Sequence, residues 1–109
     1  MIKVTIYKDS NDDFKGFQLI GHAEYSDVGE DVVCAGVSAL VITTINSIEI
    51  LTKDKFVADS NEKTGMMKLT FKGKISHDSD LLIKALIIGI EGISGEYGND
   101  YVRLLFEEV

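Results

Sequence analysis

The stretch GHAEYSDVGEDVVCAGVSA, residues 21–39, holds the only cysteine of the chain, Cys34, and one of its two histidines, His22. An imidazole within reach of a thiol can take its proton and later hand it to a leaving amine. Eleven residues lie between the two, Gly29 among them, enough chain to bend back and leave room for a substrate. Each residue also has a structural reading. A lone cysteine in an apolar helical turn packs as a small hydrophobe, and a histidine at a strand end is commonly exposed or bonded locally.

The elements that must place the pair can be read from periodicity. Ile2, Val4 and Ile6 alternate with Lys3, Thr5 and Tyr7, which predicts a half-buried strand. NDD makes a turn, and FKGFQLIGHA resumes as a second strand near residues 14–22, with His22 at its end. From Asp31 the period changes: Val33, Val37, Leu40, Val41, Thr44, Ile45, Ile48 and Leu51 recur at helical spacing. Asp31 is the expected N-cap, its carboxylate accepting amides of the first turn. Cys34 then falls in that turn, where unpaired N–H groups and the positive end of the macrodipole favour a thiolate. Glu30 and Asp31 oppose this if their charges face the sulfur.

KFVADS and TGMMKLTFKG predict a further strand pair around a turn at Asn61. SHDSD supplies caps for a helix over about residues 78–94, and YVRLLFEEV closes the chain as a strand. The order ββαββαβ lacks the alternation of a doubly wound fold, so it predicts one compact α+β domain over residues 1–109 with a mainly antiparallel sheet. The second helix carries two apolar stripes: Leu82, Ala85, Leu86 and Gly89 on one, Ile83, Ile87 and Ile90 on the other. Two stripes predict two partners, the sheet and a second subunit, with packing inside one core as the alternative.

The totals agree with a small soluble domain. The chain has 109 residues, 45% hydrophobic and 27% charged, ordinary for a globular protein. A lone thiol forms no internal disulfide and fits a reducing compartment. The N-terminus lacks a signal-like apolar region, and apolar runs break well short of about 18 residues, so the reading is cytoplasmic with no membrane span. A net charge of −7 argues against nucleic-acid binding, which relies on clustered Lys and Arg, and suits a basic partner. No metal is expected: His22, Cys34, His77 and a carboxylate lack the paired spacings of zinc sites. No glycine loop matches a nucleotide fingerprint, and His77 beside Asp78 reads as the start of a helix.

GHA at 21–23, Gly29 and DVVCAGVSAL at 31–40 resemble the ribosomal-processing cysteine proteases, a family of small bacterial proteins. Length and element order agree over the whole chain. Two departures stand out: Gly36, where many members have a second alanine, and Gly98, where many have a proline after the tyrosine. The resemblance implies an endopeptidase that trims the N-terminal extension of the twenty-seventh large-subunit ribosomal protein, cutting after an aromatic residue. It further implies a homodimer and no cofactor. By position Cys34 is the nucleophile and His22 the general base and acid. Asp31 caps the helix and shapes the site, or else orients His22. Ser38, one turn beyond Cys34, contacts the substrate or the dyad, or bonds back to the helix.

Backbone amides near Cys34 are the expected oxyanion donors. Gly21 and Gly29 are expected as flexible points of a loop over residues 23–30 that moves before cleavage. Glu24, Asp27, Glu30 and Asp31 would draw a basic substrate to its opening. Two other classes compete: a non-catalytic dimeric binding module of ribosome assembly with Cys34 buried, and a thiol redox sensor. The first predicts slow alkylation of the thiol by iodoacetamide; the second needs an intersubunit disulfide.

Overall fold

The computed structural model describes residues 1–21, 28–98 and 100–109, and their side chains except those of residues 28–31. The elements run β1 (Ile2–Lys8), β2 (Phe14–Ile20), α1 (Val28–Leu51), β3 (Phe56–Asn61), β4 (Met66–Phe71), α2 (His77–Tyr97) and β5 (Val102–Glu108). This is the α+β order ββαββαβ expected from the periodicity. The sheet order is β3-β4-β2-β1-β5. β1–β2, β2–β4 and β3–β4 pair antiparallel, and β5 lies parallel to β1. The sheet is therefore mixed, antiparallel at every junction but one.

Strand alternation sets which face is buried. Partner registers align two rows of side chains across all five strands: Phe106–Ile6–Phe17–Leu69–Ala58 and Leu104–Val4–Leu19–Met67–Ser60. Their central members, Val4, Ile6, Phe17, Leu19 and Leu69, are buried in one core with Val33, Val37, Val41 and Ile48 of α1 and Ile83, Leu86 and Ile90 of α2. Both rows lose their cover at the sheet edges, where Phe106, Ala58 and Ser60 are exposed.

Helix α1 meets the length and composition of a membrane span over Val32–Leu51, which the interrupted apolar runs had argued against. Burial of Val33, Val37, Val41 and Ile48 makes it the central helix of this domain's core. Rich in β-branched residues, it is held by that packing more than by propensity. Leu51, counted in its apolar stripe from the sequence, is 68% exposed. In α2 both apolar stripes are used within the chain. Ile83, Leu86 and Ile90 enter the core, while Leu82 and Ala85 line a groove shared with Ala39, Leu40 and Thr43 of α1. A Cβ at Gly89 would lie 2.9 Å from Leu40 Cδ1, so the absent side chain lets the helices approach. Within the chain, α2 thus meets the core on one stripe and α1 on the other.

A carboxylate clasp joins the two helices. Asp54, just past α1, accepts the Ser76 hydroxyl at 2.6 Å and the Ser76 amide at 3.0 Å. It also accepts the hydroxyl of fully buried Ser79. Ser76 is the N-cap of α2 and accepts the Ser79 amide. Burial pushes the Asp54 carboxyl up, but the hydroxyls of Ser76 and Ser79 and the Ser76 amide outweigh it and hold the group below its ordinary value. His77 begins α2 beside Asp78, Nδ1 to Oδ1 3.6 Å, both exposed.

Candidate active site

The buried stripe of α1 fixes its rotation, and the neighbouring stripe carries Cys34, Ser38 and Ile42 at four-residue spacing. These three line one open groove of about 310 Å³, opposite Asn61, Met66 and Met67 of the β3–β4 hairpin. Cys34 is half-buried, packed against the core from its rim. Ser38 is half-buried as well. Thr44 and Thr52 bond back to the carbonyls of Leu40 and Ile48, whereas among the described residues no hydrogen bond engages the Ser38 hydroxyl. A donor one turn from the sulfur is therefore available to the groove.

Gly21 closes the end of the groove beside the hairpin. Its N–H donates to the Thr64 carbonyl at 3.3 Å. Its φ is +107°, and a Cβ there would lie 2.3 Å from the Met1 carbonyl oxygen. Glycine is required here because the chain turns in a region closed to L side chains while backbone presses on it from β1. Gly21, expected as a flexible point, carries this one backbone bond to the hairpin and leaves no room for a side chain.

Three expectations about the N-terminal approach to Cys34 change. Helix α1 begins at Val28, so Asp31 lies inside the first turn and is not the N-cap. Cys34 is the seventh residue of the helix, past the first four amides that have no intrahelical partner. The Cys34 N–H is then within the helical ladder. Gly29 is helical rather than a loop hinge, and Glu30 is helical too, so residues 28–30 of the expected loop belong to α1. His22 lies outside the described residues, as do Glu24 and Asp27. Nor do the described residues contain a group of three or more His, Cys, Asp or Glu able to hold a metal.

The sequence reading missed the hairpin wall. Asn61 was legible as a turn residue, and its side chain does accept the Lys63 amide at 2.9 Å. Its place across from Cys34 depends on β4 pairing with β2, which no local pattern reveals. The one signal was the adjacent pair Met66 and Met67, soft side chains suited to a surface that adapts to its occupant.

This arrangement, a thiol at the rim of a groove wide enough for a chain segment, agrees with the relatives of the sequence. Residues 1–103 match the family model described as Cysteine protease Prp. The ribosomal processing cysteine protease Prp of Bacillus subtilis (strain 168) is 30% identical over 101 residues, covering 89% of this chain and 90% of its own. Its namesake from Staphylococcus aureus (strain Mu50 / ATCC 700699) is 26% identical over 106 residues, covering 95% and 99%. Among solved structures, the S. aureus ribosomal processing protease Prp in complex with a covalently linked product peptide superposes with a TM-score of 0.85. It is 25% identical over 97% of this chain and 99% of that one. A Streptococcus mutans protein superposes with a TM-score of 0.86 at 26% identity, covering 100% and 99%. With its thiol-lined groove and a family match running from the first residue to β5, the chain belongs to the cysteine protease Prp family.

Proposed function

We propose that the protein is an endopeptidase that removes the N-terminal extension of the twenty-seventh large-subunit ribosomal protein, cutting after an aromatic residue, with Cys34 and His22 as its dyad. The observation that carries this reading is Cys34 at the rim of a groove of about 310 Å³, in a chain similar to a protease solved with a covalently linked product peptide.

The chemistry follows from the two groups. His22 takes the Cys34 proton, and Sγ attacks the scissile carbonyl carbon. The tetrahedral intermediate collapses as the imidazolium gives its proton to the leaving amine, which departs and leaves a thioester. His22 then deprotonates a water that attacks the thioester carbon, and the thiol takes back the proton as the acid leaves. Ser38 Oγ–H is a described side-chain donor one turn from Cys34, and we assign it to the oxyanion beside backbone amides near Cys34. Asp31, in the first turn of α1, shapes the approach to the dyad. Gly21 sets the direction in which the chain reaches His22.

The test is cleavage of a peptide carrying the extension. The native protein is expected to cut one bond, after an aromatic residue, and Cys34→Ser and His22→Ala to cut none. Ser38→Ala should lower kcat by about 100- to 1,000-fold with KM nearly unchanged, the range for loss of one oxyanion donor. Cleavage by Cys34→Ser at the native rate would refute the dyad. A folded native protein that cuts neither the peptide nor the full ribosomal protein would move the reading to a binding module.

A further inference from the structure

The groove at Cys34 continues along an unpaired sheet edge. β3 is an outer strand, bonded among the described residues to β4 alone. The Lys72 N–H donates to the Lys55 carbonyl at 2.9 Å, and the same register carries on through Val57↔Thr70, Asp59↔Lys68 and Asn61↔Met66. Directly opposed residues in an antiparallel ladder alternate between pairs that exchange both hydrogen bonds and pairs that exchange none. Residues 57, 59 and 61 therefore direct their N–H and C=O groups to β4, and Ala58 and Ser60 turn theirs outward.

The side chains of Ala58 and Ser60 end the two rows on the helix side of the sheet, yet both residues are exposed. This leaves a shelf floored by small side chains and bordered by free backbone groups. Ile42 of α1, 45% exposed, stands beside its inner end, where both Ser60 and Ile42 line the Cys34 groove. Natural sheets blunt such edges with proline, bulges or charge. The chain has no proline, the β3–β4 register is unbroken, and the one charged residue of β3, Asp59, lies on the opposite face from Ala58 and Ser60. The other outer strand, β5, ends in Glu107 and Glu108.

We propose that the peptide substrate docks by adding a strand to the free edge of β3, hydrogen-bonded to the main chain of Ala58 and Ser60, and that this pairing leads its scissile bond to Cys34. The proposal rests on the peptidase reading above and names how that site recognises its substrate. Main-chain pairing holds an extended segment, and the alternation of strand side chains supplies selectivity. Every second peptide side chain falls on the shelf, over Ala58 and Ser60 and toward Ile42, which selects apolar residues at those positions. Their neighbours face away and are left unselected.

Amide hydrogen exchange tests this in the full-length Cys34→Ser protein, with a synthetic peptide spanning the cleavage junction. In the free protein the amides of Ala58 and Ser60 should exchange fast, and saturating peptide should slow them about tenfold or more, while Val57 and Asp59, already bonded to β4, change little. Peptide that perturbs Ser38 and Met67 but leaves the exchange of Ala58 and Ser60 unaltered would overturn the proposal. So would slow exchange before any peptide is added, which would mean that a second copy of the chain already occupies the edge. Failure of the peptidase reading has a different signature, namely no binding here and no cleavage by the native protein.

Ala58→Pro gives an independent readout, since it deletes an outward N–H without removing a bond to β4. It should raise KM about tenfold, the worth of one good hydrogen bond, with kcat nearly unchanged. An unchanged KM in the folded variant would count against edge pairing. If that variant does not fold, the exchange measurement decides alone.

Discussion

At the scale of single residues, the site depends on positions whose chemistry is steric as much as reactive. Gly21 is the sharpest case. Alanine there would place a Cβ 2.3 Å from the Met1 carbonyl oxygen at a φ of +107°, and relief of the clash would disturb the backbone at the start of β1 or the Gly21–Thr64 bond. Gly21→Ala should destabilise the fold by about 1–3 kcal/mol, the scale of a residue forced into disfavoured backbone space. Its kcat/KM should fall further than that loss of folded protein explains, because the corner that leads to His22 would be displaced. Urea unfolding beside peptide cleavage separates the two effects. A variant with native stability and native kcat/KM would show that the corner tolerates a side chain and positions nothing.

At the scale of elements, the clasp at Asp54 decides how the end of α1 meets the start of α2. Its carboxyl is held below the ordinary value in the folded state, so the stability it contributes is present above the unfolded carboxylate value and is lost as pH falls through the folded one. Asp54→Asn should cost about 1–3 kcal/mol near neutral pH, as three hydroxyl and amide donors lose a charged acceptor and one carboxylate oxygen becomes an NH2 that cannot accept. The gap between native and variant proteins in urea should then close as pH drops below the carboxylate range. A gap of constant size would assign the cost to packing.

Glycine within α2 gives an opposed pair of expectations. A Cβ at Gly92 meets nothing within 4 Å, so Gly92→Ala should stabilise by about 0.5–1 kcal/mol through helix propensity. Gly89→Ala should gain little or nothing in thermal unfolding, because its Cβ presses on Leu40 at 2.9 Å.

These elements also show what the sequence made legible. Alternation in residues 2–7 and the Ser76 cap were visible because each is a local pattern with a local cause. The start of α1 was placed at Asp31 because the apolar period begins at Val33; Val28, Gly29 and Glu30 extend the helix without adding to that period. The parallel pairing of β5 with β1 and the hairpin wall opposite Cys34 are consequences of topology. Two stripes on α2 are a local pattern; that one of them runs beside α1 is a consequence of topology. Cys34 and Ser38 share a groove as their spacing implied, whereas His22 falls outside the described residues.

At the scale of the molecule, α2 meets both the core and α1, and the exposed aliphatic side chains of the helical layer bear on a homodimer. Ile50 and Leu51 at the end of α1 are 76% and 68% exposed, and Leu81 and Ile88 of α2 are 56% and 70% exposed. The Asp54 clasp brings the end of α1 to the start of α2, so Ile50, Leu51 and Leu81 gather at one end of the helical layer, with Ile88 two turns along α2. Large aliphatic side chains concentrated in this way mark a self-association surface more readily than scattered ones, and a net charge of −7 would otherwise keep copies apart. On the proposal that the protein is a dimer through this layer, Leu81→Glu with Ile88→Glu should convert it to a monomer in sedimentation equilibrium while leaving its helical circular dichroism intact. The peptide groove faces the β3–β4 hairpin, so the monomer should still cut a short peptide at a rate within a few-fold of the dimer's. If the double variant sediments as the native protein does, the helical layer is not the interface, and if native protein is monomeric throughout, the exposed aliphatics await a different partner.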